Sequence, residues 1–196
     1  MAFQRHATQL TVGRVVPAEP TTYSPASCRG PAVVHSVVRA SDGLIGEFGA
    51  TRVIVTPLAE SGIIGTSIGM AIAGLKPVAE MQFSGFSYIM IPQLEGHASR
   101  LRSRTQGQLT APLVVRMPYG GGVRALEHHS ESREATYGHF PGVKVVIPSG
   151  PRNARALMVA AIRDPDPVVF MEPKRSYRAF REEVPDDIEV GEIGKA

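Results

Sequence analysis

Two groups in this sequence have residue types suited to proton chemistry. The first is Glu60, in TPLAESGIIG, an acid set between Pro57 and the start of a small-residue apolar run. The second is the trio His128-His129-Ser130 in ALEHHSES. A histidine has a reference pKa near 6.5, so it can give and take protons near neutrality. Each group also has a plain structural reading. An acid at a helix start balances the partial positive charge of the helix N-terminus, and a histidine pair in a loop often only ties that loop down. Perturbed acids occur in purely structural networks too. On the residues alone the plain structural readings come first. Other chemistries drop out more cleanly. There is no GxxxxGK[ST] phosphate loop, no HExxH and no GxSxG, and Gly120-Gly121-Gly122 does not complete GxGxxG. Adjacent histidines point in different directions from a strand or helix, so His128 and His129 cannot both face one metal from either.

These residues need elements to hold them, and the chain becomes rhythmic from Arg52 onward. RVIVTPL reads as a buried strand ended by Pro57, and 61–75 reads as a helix of small and apolar residues. KPVAEMQF is a second strand, and 87–104 is mostly helical. APLVVRMPY is a strand running into the glycine loop at 120–122. A short helix follows Ser130, and then comes the strand GVKVVIP. Ser149 and Pro151 suit the cap and first turn of a helix through Ile162. DPVVFMEP is the last strand. Near-continuous Val/Ile strands alternating with helices predict an α/β fold, a mostly parallel sheet with helices on both faces. In such sheets ligands gather beyond the carboxyl ends of the strands. Glu60, Phe86, the stretch 127–130 and Ser149 all fall there.

Composition sets the outer bounds. The chain has 196 residues, 43% hydrophobic and 20% charged, which suits a soluble globular domain of roughly 100–200 residues. A single cysteine, Cys28, excludes an internal disulfide framework and a cysteine-rich zinc site. The stretch 61–75 is interrupted by Gly62, Gly65, Gly69 and Gly74 and is shorter than the roughly 18 residues of a membrane span. No membrane association is expected. A net charge of +3, with Arg100, Arg102 and Arg104 as the densest basic group, makes no clustered nucleic-acid face. The segment 1–36 is punctuated by Pro17, Pro20, Pro25 and Pro31, has neither helical nor alternating apolar period, and is expected to be a poorly ordered tail. It lacks the continuous apolar segment of a signal peptide.

The wording of the motifs is more specific than their chemistry. In order along the chain stand VVRASDGLIGEFGATRV, TPLAESGIIGTSIGMAIAGLKPVAEMQF, PLVVRMPYGGGVRALEHHSES, HFPGVKVVIPSGPRNA and IRDPDPVVFMEPKRSYR. Together they resemble the beta subunit of the thiamine-diphosphate-dependent 2-oxo acid dehydrogenases, of the pyruvate and branched-chain type. The resemblance covers 37–185 and corresponds to that family's transketolase-like pyrimidine-binding domain. The tail 186–196 falls where the family continues into a second domain.

Carried over position by position, the resemblance implies roles. Glu60 matches the glutamate that hydrogen-bonds the cofactor's aminopyrimidine and favours its imino tautomer, the form able to take a proton from the reactive carbon. Phe86, in QFSGF, matches the aromatic residue stacked on the pyrimidine, and Leu58 the apolar residue beside it. His129 matches the active-site histidine that supports proton and acyl transfer. Leu113, Ala161, Ile162, Asp164 and Asp166 match a structural potassium site built mainly from backbone oxygens. The same residues also read as a polar helix-to-strand turn. Lys174 and Arg175 read as surface or subunit-contact residues.

The resemblance also implies partners. Asp42-Gly43 is not part of a GDG…N motif, so the cofactor's diphosphate and its Mg2+ are expected on an alpha subunit, in a heterotetramer that delivers acyl groups to a lipoyl acyltransferase core. Gly65, Gly69 and Ala73, four apart on one helix face, would suit a close subunit contact. The EHHS and QFSGFSY wording leans to a branched-chain 2-oxo acid over pyruvate. Localisation would be cytoplasmic in a prokaryote and the mitochondrial matrix in a eukaryote. Some features depart from the family. SCRGPAVVHSVV stands where a GEDV-like motif is usual, Gly85 stands at a commonly acidic position, and the chain stops at VGEIGKA. They raise the expectation of a truncated or split copy. Two further readings accompany the main one: a subunit of a split transketolase-type enzyme, and a non-catalytic remnant.

Overall fold

The computed structural model describes residues 32–34 as backbone, and 41, 43–122 and 124–195 in full. Apart from 32–34, the predicted N-terminal tail 1–36 lies outside the described residues. Six strands form one sheet: β1 (Ala32–Val34), β2 (Val53–Val55), β3 (Val78–Glu80), β4 (Val114–Tyr119), β5 (Lys144–Val146) and β6 (Val168–Pro173). Their order across the sheet is β2-β1-β3-β4-β6-β5. Every neighbouring pair is parallel. The predicted α/β class with a parallel sheet is what the chain adopts.

Parallel strands need crossover connections, and helices supply them. α1 (Leu44–Phe48) precedes β2, and α2 (Glu60–Ile72) links β2 to β3. Helical turns from 84 to 104 link β3 to β4. α3 (Glu134–Gly138) lies between β4 and β5, and α4 (Pro151–Arg163) links β5 to β6. α2 buries Ile63, Ile64, Ser67, Ile68 and Ala71 on its inner face. It stops at Gly74, whose φ of 90° only glycine adopts freely. There the Leu75 N–H reaches back to the Met70 carbonyl and closes the helix end.

Alternation along the strands divides the core between two layers. Val115, Met117, Val169 and Met171 face α2 and the 84–104 turns, packing with Ile64, Met81, Met90, Leu94 and Tyr137. Val114, Val168 and Phe170 face the other side with Val78, Met158 and Ala161 of α4. Both layers being covered explains why β4 and β6 are buried along almost their whole length. Each fully buried Val, Met or Phe side chain contributes about 1.5–3 kcal/mol.

Two details differ from the sequence reading. Ser149 does not cap α4: Gly150 flanks the helix, Pro151 opens it, and the Asn153 side chain reaches back to accept the Ser149 N–H at 3.0 Å. The helical turns after β3 begin at Ser84 rather than Ser87, as a 3-10 segment (Ser84–Met90) that gives way to a π segment at Leu94–Ala98. Both Ser84 and Ser87 are buried there. The Ser84 hydroxyl donates to the Glu131 carbonyl at 2.8 Å. Ser87 shares a hydrogen bond with the Tyr137 hydroxyl. These two contacts draw the chain inward earlier than its apolar pattern implies.

Candidate active site

The parallel sheet brings four connections to one edge, the edge of strand carboxyl ends. Glu60 follows β2, Phe86 follows β3, and His129 follows β4. Lys174 follows β6. Because β1 runs between β2 and β3, Glu60 leaves the sheet about 10 Å to one side of the strand that leads to Phe86. α2 and the 84–104 turns pack together, with the Gln93 amide 3.4 Å from the Ser61 hydroxyl.

Glu60 is the first residue of α2 and only 8% exposed. Its carboxyl has no hydrogen-bond or ion-pair partner among the described residues. The position meets the helix-dipole reading, yet a dipole partner works equally well at the surface. The residue as a whole is covered, but its carboxyl oxygens are not among the fully buried side-chain atoms that lack a partner, so they stay accessible at the helix start. Leu58 is 60% exposed on the turn before it. An apolar groove of about 220 Å³ runs beside this turn between Ile54, Thr56, Pro57, Ala59, Ile63 and Met70. It does not extend to Phe86 or His129.

The second half of the site is an aromatic cluster. The Phe86 ring stacks on His128 at 5.8 Å between centroids and 15° between planes. His129 meets Phe86 edge-on at 5.3 Å and Phe83 edge-on at 4.8 Å. One face of Phe86 is therefore taken by His128, with Phe83 and His129 packed against the ring edge-on. The loop reaches Phe86 closely because Gly85 has no side chain: a Cβ there would meet the His128 carbonyl oxygen at 2.2 Å. Ser84 and Tyr88 fasten the far end of the loop, through the Glu131 backbone carbonyl and side-chain carboxylate.

Lys174, expected as a surface or subunit-contact residue, is half-buried against this cluster. Its ammonium donates to the His129 backbone carbonyl. It also lies 4.8 Å from the centroid of Phe83. Burial draws its pKa below the ordinary lysine value. Arg175 keeps the surface character expected of it and packs beside Gly122.

Behind the site lies a buried charge network that the sequence reading missed. Arg116 on β4 is 4% exposed, and Glu80 on β3 and Glu172 on β6 are 6% each. Arg116 donates to Glu172 through Nε at 2.7 Å and Nη2 at 2.8 Å, and to Glu80 through Nη1 at 2.9 Å. Burial alone would lower the guanidinium pKa; the Glu172 and Glu80 charges outweigh it and raise the pKa. The Tyr177 hydroxyl donates to Glu172 at 2.5 Å. Burial first, and then the Glu172 charge, push Tyr177 well above the ordinary tyrosine value. The available signal was period-two alternation, which puts Glu80 and Arg116 on a face otherwise occupied by Val78 and Val114.

The five candidate potassium ligands do converge, but at the opposite edge of the sheet. Leu113 precedes β4, and Asp164 and Asp166 precede β6. Their acceptors are already engaged. The Leu113 carbonyl accepts the Val168 N–H, and the Ala161 carbonyl the Asp164 N–H. Lys76 donates to the Ile162 carbonyl at 3.0 Å, Lys144 to Asp164 at 2.7 Å, and Arg102 to Asp166 at 2.7 Å. Two cations thus balance the two carboxylates, while each backbone carbonyl keeps a second lone pair. Among the described residues no group of three or more His, Cys, Asp or Glu could hold a metal. No described helix is long and apolar enough to cross a membrane.

Comparison with known proteins agrees with this architecture. The family profile of the transketolase pyrimidine-binding domain matches residues 7–179. The chain belongs to that family. Among curated proteins it is similar to the pyruvate dehydrogenase E1 component subunit beta of Acholeplasma laidlawii, 56% identical over 160 residues, 82% of this chain and 49% of that protein. The subunits of the same name from Mycoplasma genitalium and Bacillus subtilis are 52% and 49% identical over the same shares. The chain thus spans about half the length of the curated relatives it matches. A solved structure titled "Split gene transketolase, inactive beta4 tetramer" superposes with a TM-score of 0.56 at 17% identity, covering 97% of this chain and 55% of that one. At that identity the likeness concerns the fold alone.

Proposed function

We propose that this chain supplies the pyrimidine side of a thiamine diphosphate site in a 2-oxo acid dehydrogenase, with an alpha-type subunit supplying the diphosphate and Mg2+ side. The observation that carries the reading is Glu60 at the first turn of α2, a largely covered residue whose carboxyl has no protein partner among the described residues. Relatives named pyruvate dehydrogenase E1 subunit beta, at about half identity, favour pyruvate as the substrate over a branched-chain 2-oxo acid. The residues present fit the cofactor's pyrimidine: a carboxyl lacking a partner, an exposed Leu58 beside it, and the Phe86 ring of the aromatic cluster.

When bound, thiamine diphosphate supplies the carbon nucleophile that attacks the 2-oxo group and allows loss of CO2. The protein residues orient it and manage protons. Glu60 would hold a proton at the aminopyrimidine ring nitrogen. Phe86 and Leu58 would hold the ring by apolar contact. His129, fixed by Phe83 and Phe86, would exchange a proton with the substrate oxygen and support, by proton transfer, acyl transfer to a lipoyl arm of an acyltransferase core. Such a complex would work in a bacterial cytoplasm or a mitochondrial matrix.

The test is co-expression with a matching alpha subunit, followed by 2-oxo acid-dependent reduction of an artificial electron acceptor. Turnover of pyruvate above that of branched-chain acids is expected. A complex that assembles with the cofactor and decarboxylates no 2-oxo acid would overturn the reading.

A further inference from the structure

We propose that Lys174 is a positioning residue for His129, holding the imidazole against Phe83 and Phe86; its consequence for catalysis rests on the function proposed above. The observation is a closed triangle of contacts. The Lys174 ammonium donates to the His129 carbonyl and sits 4.8 Å from the Phe83 centroid. The Phe83 ring itself lies 4.8 Å from the His129 ring. One cation therefore grips the histidine twice, through its backbone and through the ring it packs on.

The two ends of this grip differ in rigidity. Lys174 follows β6 directly, two residues after Glu172, which Arg116 and Tyr177 hold in the buried network. The Ser176 hydroxyl donates to the Pro173 carbonyl at 2.7 Å and fixes the turn that starts at Lys174. The lysine is thus anchored to the sheet. The histidine loop is fastened on its far side, at Glu131 by Ser84, Tyr88 and Gly120, while Arg124, Ala125, Leu126, Glu127 and His128 before it are all exposed. The His129 carbonyl takes no part in the short turn at Glu127–His129, whose bonds use the Leu126 and Glu127 carbonyls. Lys174 is what ties that carbonyl to the fold. A displaced reacting group costs rate steeply, since an error of about 1 Å can lower turnover on the order of 100-fold.

The experiment uses Lys174→Met and Lys174→Arg in the full chain, alone and assembled with the alpha subunit. Met keeps the aliphatic stem and removes the donor; Arg keeps a donor and a cation. In ring-proton NMR of the chain alone, with His129 assigned by His129→Gln, the His129 resonances should carry ring-current displacement from Phe83 and Phe86. Lys174→Met should move them towards the values of an exposed histidine, and Lys174→Arg should restore them. In the assembled enzyme, Lys174→Met should lower kcat for acyl transfer about 10- to 100-fold with little change in KM for the 2-oxo acid, and Lys174→Arg should recover most of it. Unchanged His129 resonances in Lys174→Met would overturn the proposal, as would equal losses in the Met and Arg variants. If the wild-type assembly is inactive, the functional reading fails while the NMR still decides where Lys174 holds His129.

Discussion

The backbone of His128 crosses directly over Gly85, so closely that a Cβ on that glycine would lie 2.6 Å from the His128 Cα and 2.2 Å from its carbonyl oxygen. The obstructing atoms are backbone, which cannot swing away as a side-chain tip can. The turn after β3 and the loop after β4 are therefore fitted to each other, and the aromatic cluster of Phe83, Phe86, His128 and His129 depends on that fit. Gly85→Ala should push the histidine loop off Phe86 and destabilise the fold by about 1–3 kcal/mol, the usual range for overpacking. Chemical denaturation combined with histidine ring NMR checks both effects. An unchanged His128–Phe86 contact in the variant would contradict the fit.

Arg116 bridges two buried acids, so removing it takes away the cation that Glu80 and Glu172 share. Arg116→Met should destabilise the fold by about 3–5 kcal/mol. The combined change Arg116→Met, Glu80→Gln and Glu172→Gln should recover much of that loss, because it removes both carboxylate charges together with the cation that bridges them. Urea denaturation of the two variants measures the difference. Equal stability for the single and triple variants would show that packing around Arg116 matters and its charge does not.

Tyr177 gives a pH signature. Burial and the Glu172 charge raise its pKa in the folded chain above the ordinary value near 10. A raised pKa favours the neutral hydroxyl on folding. The resulting stability is fully present below about pH 10 and is lost as pH rises towards the folded value. Tyr137 and Tyr119 shift in the same direction through burial, so the wild type should lose stability in alkali through several tyrosines. Tyr177→Phe should remove one share of that loss and make the profile flatter above pH 10, while lowering stability at neutral pH by about 0.5–1.5 kcal/mol for the lost hydrogen bond. Thermal melts from pH 7 to 11 would show it. Parallel profiles for the two chains would count against the buried Tyr177–Glu172 bond.

Glu60→Gln separates the two readings of the buried acid. As a proton-holding group at the pyrimidine, it should lower turnover of the assembled enzyme at least about 100-fold while folding and much of the cofactor affinity persist. As a partner of the helix N-terminus alone, it should cost about 0.3–1 kcal/mol of stability and leave turnover near normal. Turnover, cofactor binding and melting temperature on one matched pair of chains distinguish the two outcomes.

What the sequence determined by itself was local. Branched apolar runs such as VVRMPY and VVFMEP, alternating with helical segments, were enough for a parallel α/β sheet, because each such strand must be covered on both faces. Glu60 was legible as an acid at a strand-to-helix turn, and the ordered motifs pointed to the family. The tertiary structure decided what depends on strand order and register. No local pattern says that β1 runs between β2 and β3, or that β4 lies between β3 and β6. That order puts Arg116 between Glu80 and Glu172 and turns three isolated charges into one network. It also brings Lys174 from the end of β6 to the loop that follows β4, where a lysine expected at the surface or a subunit contact meets His129. The same parallel arrangement sends the Asp164–Asp166 turn to the opposite edge, since residues that precede strands and residues that follow them leave the sheet at different ends. Side-chain types are written along the chain; which of them meet depends on pairing between strands distant in sequence.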